Sequence, residues 1–264
     1  WSRGGTIIML VVALLSPTLG ALADQGGFRK RLLILVTLLS VIFTALLYLP
    51  QPGQTTFALT LYIIACIGFE MGSVFYNAYL PDIASRERIG RISGQAWAVG
   101  YAGAMVSMAI LMVGFVSADT PWFNLSKDTH EHIRATNIVV AIWFALFSLP
   151  AFIYLPETPA QQTDSKQILI SSYRRIIQTV REMKRYREIF KLLLARLVYN
   201  DGLTTIFAFG GIYASGTFGF TFEEVMIFGI IINIAAGIGA WCFGFLDAFS
   251  ELGISNFHRP LWKL

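Results

Sequence analysis

The chain is short of charge. Only 14% of its 264 residues are Asp, Glu, Lys or Arg, against about 25% in ordinary soluble domains, which excludes a water-soluble globule with a charged surface. Cysteine is scarce too: Cys66 and Cys242 sit singly inside apolar runs, so neither a disulfide framework nor a cysteine metal site is expected. One local histidine pair, His130 and His132, lies in a polar loop without a third ligand, and no metal or cofactor is implied. There is no G-x-x-x-x-G-K-[ST] phosphate loop, which argues against a nucleotide-driven pump. No paired nucleophile and base marks an enzyme. Basic residues outnumber acidic ones, 20 to 16, but they are spread along the chain in alternation, so no nucleic-acid partner is expected.

Long apolar runs are what the chain has instead. Seven of them, at about 6–23, 32–50, 57–80, 93–116, 134–155, 189–215 and 221–246, approach or exceed the roughly 20 residues a helix needs to cross a bilayer. Lipid offers no hydrogen-bond partners to the backbone, so each must be a helix. The expected fold class is all-α, a polytopic helical membrane protein with seven spans and the lipid bilayer as its principal partner. The first run, with Arg3 before it and small residues at Ala21–Ala23, also has the outline of a signal peptide. Its continuation into further spans favours a membrane helix.

Short loops rich in Lys and Arg mark the cytoplasmic side. Arg29–Arg31 follow the first run, Arg86, Arg88 and Arg91 the third, and seven basic residues from Lys166 to Arg187 the fifth. The intervening connections carry Lys127 alone. This alternation places the N-terminus outside and the C-terminus inside. The longest connection, 156–188, spaces Leu169, Tyr173, Ile176, Val180 and Met183 at helical intervals among basic residues, which suits either a solvated linker or a basic amphipathic helix on the inner surface. It divides the chain into an N-terminal bundle at 1–155, the linker, the start of a second bundle at 189–247 and a tail at 248–264.

One connection is unusual. "GALADQGGFRKRLL", Gly20–Leu33, interrupts two apolar runs with an acid, three glycines and three consecutive basic residues. Gly20 permits close helix packing, Asp24 can face a helix N-terminus or a guanidinium, and Gly27 lets the chain turn. With Gly20, Leu22, Asp24, Gly27, Arg29 and Leu32 at their spacing, the stretch resembles the signature loop between the second and third helices of major facilitator superfamily transporters. Phe28 departs from the pattern, which usually has a basic residue there. "FYNAYLPDIASRERIGRISGQAWAVGYAG" (Phe75–Gly103) and "LARLVYNDGLTTIFAFGGIYASGTFGF" (Leu194–Phe220) are similar to the vacuole-effluxer-like branch of that superfamily, which includes fungal vacuolar amino-acid exporters. The fifth-helix glycine-proline signature of the proton-coupled drug exporters is missing from "GYAGAMVSM", and "LPETP" lacks the arginine that follows it in sugar porters.

The resemblance implies a secondary transporter of a small solute, with protons as a candidate coupling ion, built as two six-helix halves around a central site. The seven runs would then be family helices two to eight. "FGFLD" (Phe243–Asp247) begins a second signature loop that breaks off at Ala248 and Glu251, so a partial or frame-shifted reading frame is expected. A non-transporting membrane scaffold acting through the 156–188 segment is the alternative.

Ionisable groups at mid-bilayer cost at least about 2.5–3.5 kcal/mol and need a partner or a wet cavity. Glu70 and Asp201 are the most deeply placed acids. Glu70, Ser73 and Asn77 share a helix face at i, i+3 and i+7; Asn200 with Thr204, and Asp201 with Thr205, are i, i+4 pairs. The family's fourth and seventh helices line its cavity, so the candidate solute or proton residues are Glu70, Ser73, Asn77, Asn200, Asp201 and Thr204. The candidate gating loop comprises Gly20, Asp24, Gly27 and Arg29, with Asp82 at the end of the third run. Helix gluing by buried polar groups and plain topology signalling are the competing readings. Gly90, Gly94, Gly100 and Gly103 are expected at close helix contacts, and Trp122, Phe123, Trp143 and Tyr154 in an interfacial belt.

Overall fold

In the computed structural model, residues 2–85, 88–157, 174 and 187–257 are described. All seven apolar runs are helical and no strand occurs among the described residues. The elements are α1 (Ser2–Gly26), α2 (Arg29–Leu46), α3 (Thr55–Asn77), the single turn α4 (Leu80–Ile83), α5 (Ile89–Leu111), α6 (Glu131–Tyr154), α7 (Arg187–Phe218) and α8 (Phe222–Phe257). The fold is thus an all-α membrane protein.

The number of spans differs from the seven expected. Four described helices, Thr55–Ile83, Ile89–Val116, Glu131–Tyr154 and Phe222–Phe243, are long and apolar enough to cross a membrane. A fifth follows if the halves of α7, Phe190–Ile206 and Phe209–Phe218, bent by 48°, form one span. The bend stands beside Gly210 and Gly211, residues that weaken a helix locally. The apolar part of α1, Gly4–Gly20, is shorter. The 18 residues of α2 include Arg29, Lys30 and Arg31 at one end. The apolar remainder of α2, at about 1.5 Å per residue, falls short of the roughly 30 Å core.

Turn chemistry sets the helix ends. Gly27 takes φ +70° between α1 and α2. Pro52 and Gly53 (φ +96°) make the turn into α3, closed by the Gln54 N–H donating to the Gln51 carbonyl at 3.0 Å. Gly219 (φ +69°) ends α7, and Thr221 opens α8 with a capping box. There the Thr221 N–H donates to Glu224 Oε2 at 2.7 Å, and the Glu224 N–H to Thr221 Oγ1 at 3.3 Å.

The chain packs as two compact units. One comprises Trp1–Phe75 with Arg134–Phe220. In it, Leu33, Val36, Thr37 and Ser40 form the buried side of α2, and Gly68 of α3 lies against them so closely that a Cβ would stand 2.8 Å from the Val36 carbonyl oxygen and 2.9 Å from the Ser40 nitrogen. Gly72, one turn on, meets Val36 and Thr37 at ordinary contact distance. This small-xxx-small pair is the means by which membrane helices approach backbone to backbone. Arg134, near the start of α6, donates to the Tyr48 and Pro50 carbonyls at 3.2 and 3.3 Å and lies over the Tyr48 ring. It thereby fixes the connection that leads into α3.

The other unit comprises Tyr76–Ile133 with Thr221–Leu264. Its main packing is α5 on α8, antiparallel. Gly229 sits under Met108, Gly237 under Tyr101, and Asn233 between them donates to the Gly229 carbonyl at 2.8 Å. Beyond α5 a π-helical turn, Met112–Val116, presents Gly114 to the Trp122 indole at a distance that admits no side chain. Among the described residues, the approaches that would put an added Cβ under 3.0 Å from a neighbour therefore fall at Gly68, Gly114 and Gly229. A side chain at Gly20, Gly100 or Gly103 would meet nothing within 4 Å, contrary to expectation for those three.

Candidate functional site

At about 100° per residue, α3 divides into two opposite strips. Leu61, Ala65, Gly68, Gly72 and Phe75 are buried. Tyr62, Cys66, Glu70, Ser73 and Asn77 occupy the other side, from half-buried to exposed. The neighbours of α3 account for its remaining sides. Gly68 lies on α2, the Ser16 hydroxyl of α1 reaches Met71 Sδ at 3.7 Å, and Phe69 meets Phe144 of α6 edge-on at 5.9 Å between ring centres. The polar strip is left as the fourth side, covered at one end where Gly4 of α1 touches Leu59.

Residue type and rotation both follow from the short segment "GFEMG", Gly68–Gly72. The two glycines press against α2, so the carboxylate midway between them must point away from it. Glu70 makes no hydrogen bond or ion pair among the described residues; nor do the side chains of Ser73 and Asn77. Such a strip can take hydrogen bonds and positive charge from a guest, which a lipid-facing surface cannot offer at low cost.

The α7 candidates are placed differently. Asn200, Asp201 and Thr204 lie in a stretch, 190–206, in which every residue is exposed. Thr205 spends its hydroxyl on the Asp201 carbonyl at 2.9 Å. No described hydrogen bond or ion pair joins this group to the α3 strip.

The candidate gating residues divide likewise. Gly20 and Asp24 belong to α1 rather than to a loop, and the Asp24 side chain lies outside the described residues. Gly27 is the turn itself, and Arg29, the first residue of α2, is buried at 9% exposure and engaged. Phe28, the departure from the family pattern, receives the Arg31 guanidinium 6.0 Å above its ring. Asp82 is exposed on α4 and also engaged. The amphipathic pattern expected in 156–188 lies outside the described residues, apart from the ends and Arg174. Of the histidine pair, His132 Nδ1 is 3.2 Å from the Ser126 carbonyl oxygen, closing the loop onto α6. Tyr62 and Cys66, absent from the candidate set, extend the α3 strip by two turns. Their i, i+4, i+8 spacing to Glu70 was the available signal.

Helices of this length and apolarity, one of them with an acid held away from its packed side, are those of an integral membrane protein. The chain belongs to the family described as vacuole effluxer Atg22 like, whose model matches residues 5–257. It is 27% identical over 209 residues to an uncharacterized MFS-type transporter, YxiO, of Bacillus subtilis, covering 79% of this chain and 48% of that protein. An uncharacterized protein of Aquifex aeolicus is 27% identical over 88% of this chain and 52% of its own length. Autophagy-related protein 22 of Yarrowia lipolytica is 19% identical over 89% and 51%. The chain thus spans about half the length of these relatives. No solved structure gives a significant match.

Proposed function

We propose that the chain forms part of the solute pathway of a secondary transporter working by alternating access, with the Glu70–Ser73–Asn77 strip as pathway wall. The observation that carries this reading is the opposition on α3: glycine contact on one side and, on the other, an acid with no hydrogen bond or ion pair among the described residues, beside a hydroxyl and an amide. Membership of a family whose relatives include a protein named as an MFS-type transporter supports it. The solute class we infer is a small zwitterion such as an amino acid, because one carboxylate beside a hydroxyl and an amide suits an ammonium group and its polar substituents. Asn200, Asp201 and Thr204 are proposed as a second contact region. Gly20, Asp24, Gly27, Arg29 and Asp82 are proposed as the inner gate, biasing a two-state equilibrium through individually small charge contacts. The division into bundles at 1–155 and 189–247, joined by 156–188, belongs to the same proposal.

The test is counterflow of a labelled amino-acid mixture into liposomes holding the purified chain, with the Bacillus relative as a parallel sample. The expected result is uptake above protein-free liposomes that falls at least about tenfold in Glu70→Gln, the loss of one charge-assisted contact. Uptake at the protein-free level, or unaltered uptake in the variant, would overturn the reading.

A further inference from the structure

We propose that Arg134, near the start of α6, holds a carboxylate-binding site: the guanidinium edge formed by Nε and Nη2 takes the two oxygens of a carboxylate on the incoming solute. The site stands on the geometry of Arg134; its use by the solute rests on the reading of α3 as a pathway wall. A guanidinium carries two N–H groups on each terminal nitrogen and one on Nε. Those of Nη1 are spent on the Tyr48 and Pro50 carbonyls, at 3.2 and 3.3 Å. Nε is buried without an acceptor, and among the described residues no hydrogen bond or ion pair uses Nη2. The edge left over presents parallel N–H groups, the arrangement that pairs with a carboxylate through two bonds at once. A charged donor held from water without a partner is costly, so a guest that supplies the acceptors is favoured there. Arg134 as a whole is only part-buried, which gives such a guest a side to approach from.

The surroundings supply no counter-ion. The Tyr48 ring, 5.5 Å from the guanidinium carbon, covers one face. Glu131, one turn earlier on α6, accepts the Ser126 N–H at 3.4 Å, and Asn137, one turn later, donates to the Arg134 carbonyl at 3.1 Å. The turn that Arg134 holds, 47–54, has no acid; α2 has none, and α6 has none after Glu131. Glu70 is the only acid of α3, and the helix from Thr55 to Glu70 spans about 22 Å. That exceeds the reach of a free amino acid, so one molecule does not touch Arg134 and Glu70 together. By the alternation of basic loops, this end of α6 is the outer one, where the connections otherwise carry Lys127 alone. Arg134 therefore takes the carboxylate end of the solute at the outer mouth, and Glu70 takes the ammonium end farther in.

The experiment is nuclear magnetic resonance of the full chain in detergent micelles with isotope-labelled arginine, reading the Nε–H signal that Arg134→Lys removes. N-acetylalanine, which has a carboxylate and no ammonium, should shift that signal in a saturable manner; alaninamide, which has the ammonium and no carboxylate, should not. By calorimetry the affinity of Arg134→Lys for N-acetylalanine should fall at least about tenfold, the loss of a bidentate charged contact. The ligand series on the unaltered chain decides the matter even if that variant folds poorly. No shift with N-acetylalanine, or an equal shift with alaninamide, would overturn the site. So would an equal response to chloride, which would make it a site for any anion, or tighter binding of glycerol phosphate, which would assign the edge to a lipid headgroup. A saturable shift in a chain that gives no counterflow would uphold the site while overturning the transport reading.

Discussion

α3 and α7 carry the same kind of polar signal on different foundations. Each places an acid with hydroxyl and amide neighbours inside an apolar run. α3 has a back: Leu61, Ala65, Gly68, Gly72 and Phe75 are buried, and α1, α2 and α6 touch it on three sides. Residues 190–206 of α7 are all exposed, and a side chain at Gly202 would meet nothing within 4 Å. A polar strip becomes a positioned site only when the opposite side of its helix is held, because rotation decides whether an acid meets a guest, a partner helix or lipid. By that criterion the rotation of Glu70 is held, whereas among the described residues nothing holds that of Asp201.

Three substitutions would break or sharpen this contrast. The largest effect is expected from Gly68→Leu, which forces a side chain into the Val36 carbonyl and Ser40 amide. The loss should be about 3 kcal/mol or more, since backbone rather than a flexible side-chain end must yield. Unfolding in detergent would show it, and an unchanged midpoint would mean that α2 and α3 are not held together there. Next comes Arg134→Ala, which removes the bonds to the Tyr48 and Pro50 carbonyls. About 1.5–3 kcal/mol should be lost, the range for hydrogen bonds to a charged group. Arg134→Lys should recover only part of it, because an ammonium lacks the flat guanidinium that lies over the Tyr48 ring; full recovery would show that charge alone holds the loop. The smallest effect belongs to Gly202→Ala on α7. Stability should stay level or rise by up to about 1 kcal/mol, the helix-propensity gain. A clear loss would show that α7 has a packed neighbour at that point.

Much of this was legible in the residues, for reasons that differ from element to element. Helix existence followed from the apolar runs, since lipid leaves the backbone no alternative. The Pro52–Gly53 turn, Gly219 and the Thr221–Glu224 box are local chemistry, and local chemistry is what a sequence states most directly. Glu70, Ser73 and Asn77 sharing a face required only the helical period. Only four or five of the seven runs make described helices that meet the length and apolarity of a span, because a helix can be shorter than its apolar run: α2 ends at Leu46 although its run goes on to residue 50, and α7 bends beside its paired glycines. Nor could the glycines be sorted. Gly68 touches backbone 32 positions earlier, counting from Val36, whereas Gly20, Gly100 and Gly103 face nothing, and that difference is purely tertiary. Tyr62 and Cys66 were passed over because each is common in apolar helices; only their four-residue spacing to Glu70 sets them apart.

The central claim is that the polar strip of α3 faces water while its opposite strip is sealed. Thiol labelling of single-cysteine chains in liposomes tests it most directly, with a small membrane-impermeant reagent applied from either side. Native Cys66, Ser73→Cys and Asn77→Cys are predicted to label, and Ala65→Cys, at a position 4% exposed, to stay protected. Equal labelling at all four positions, or protection of the first three, would contradict the account.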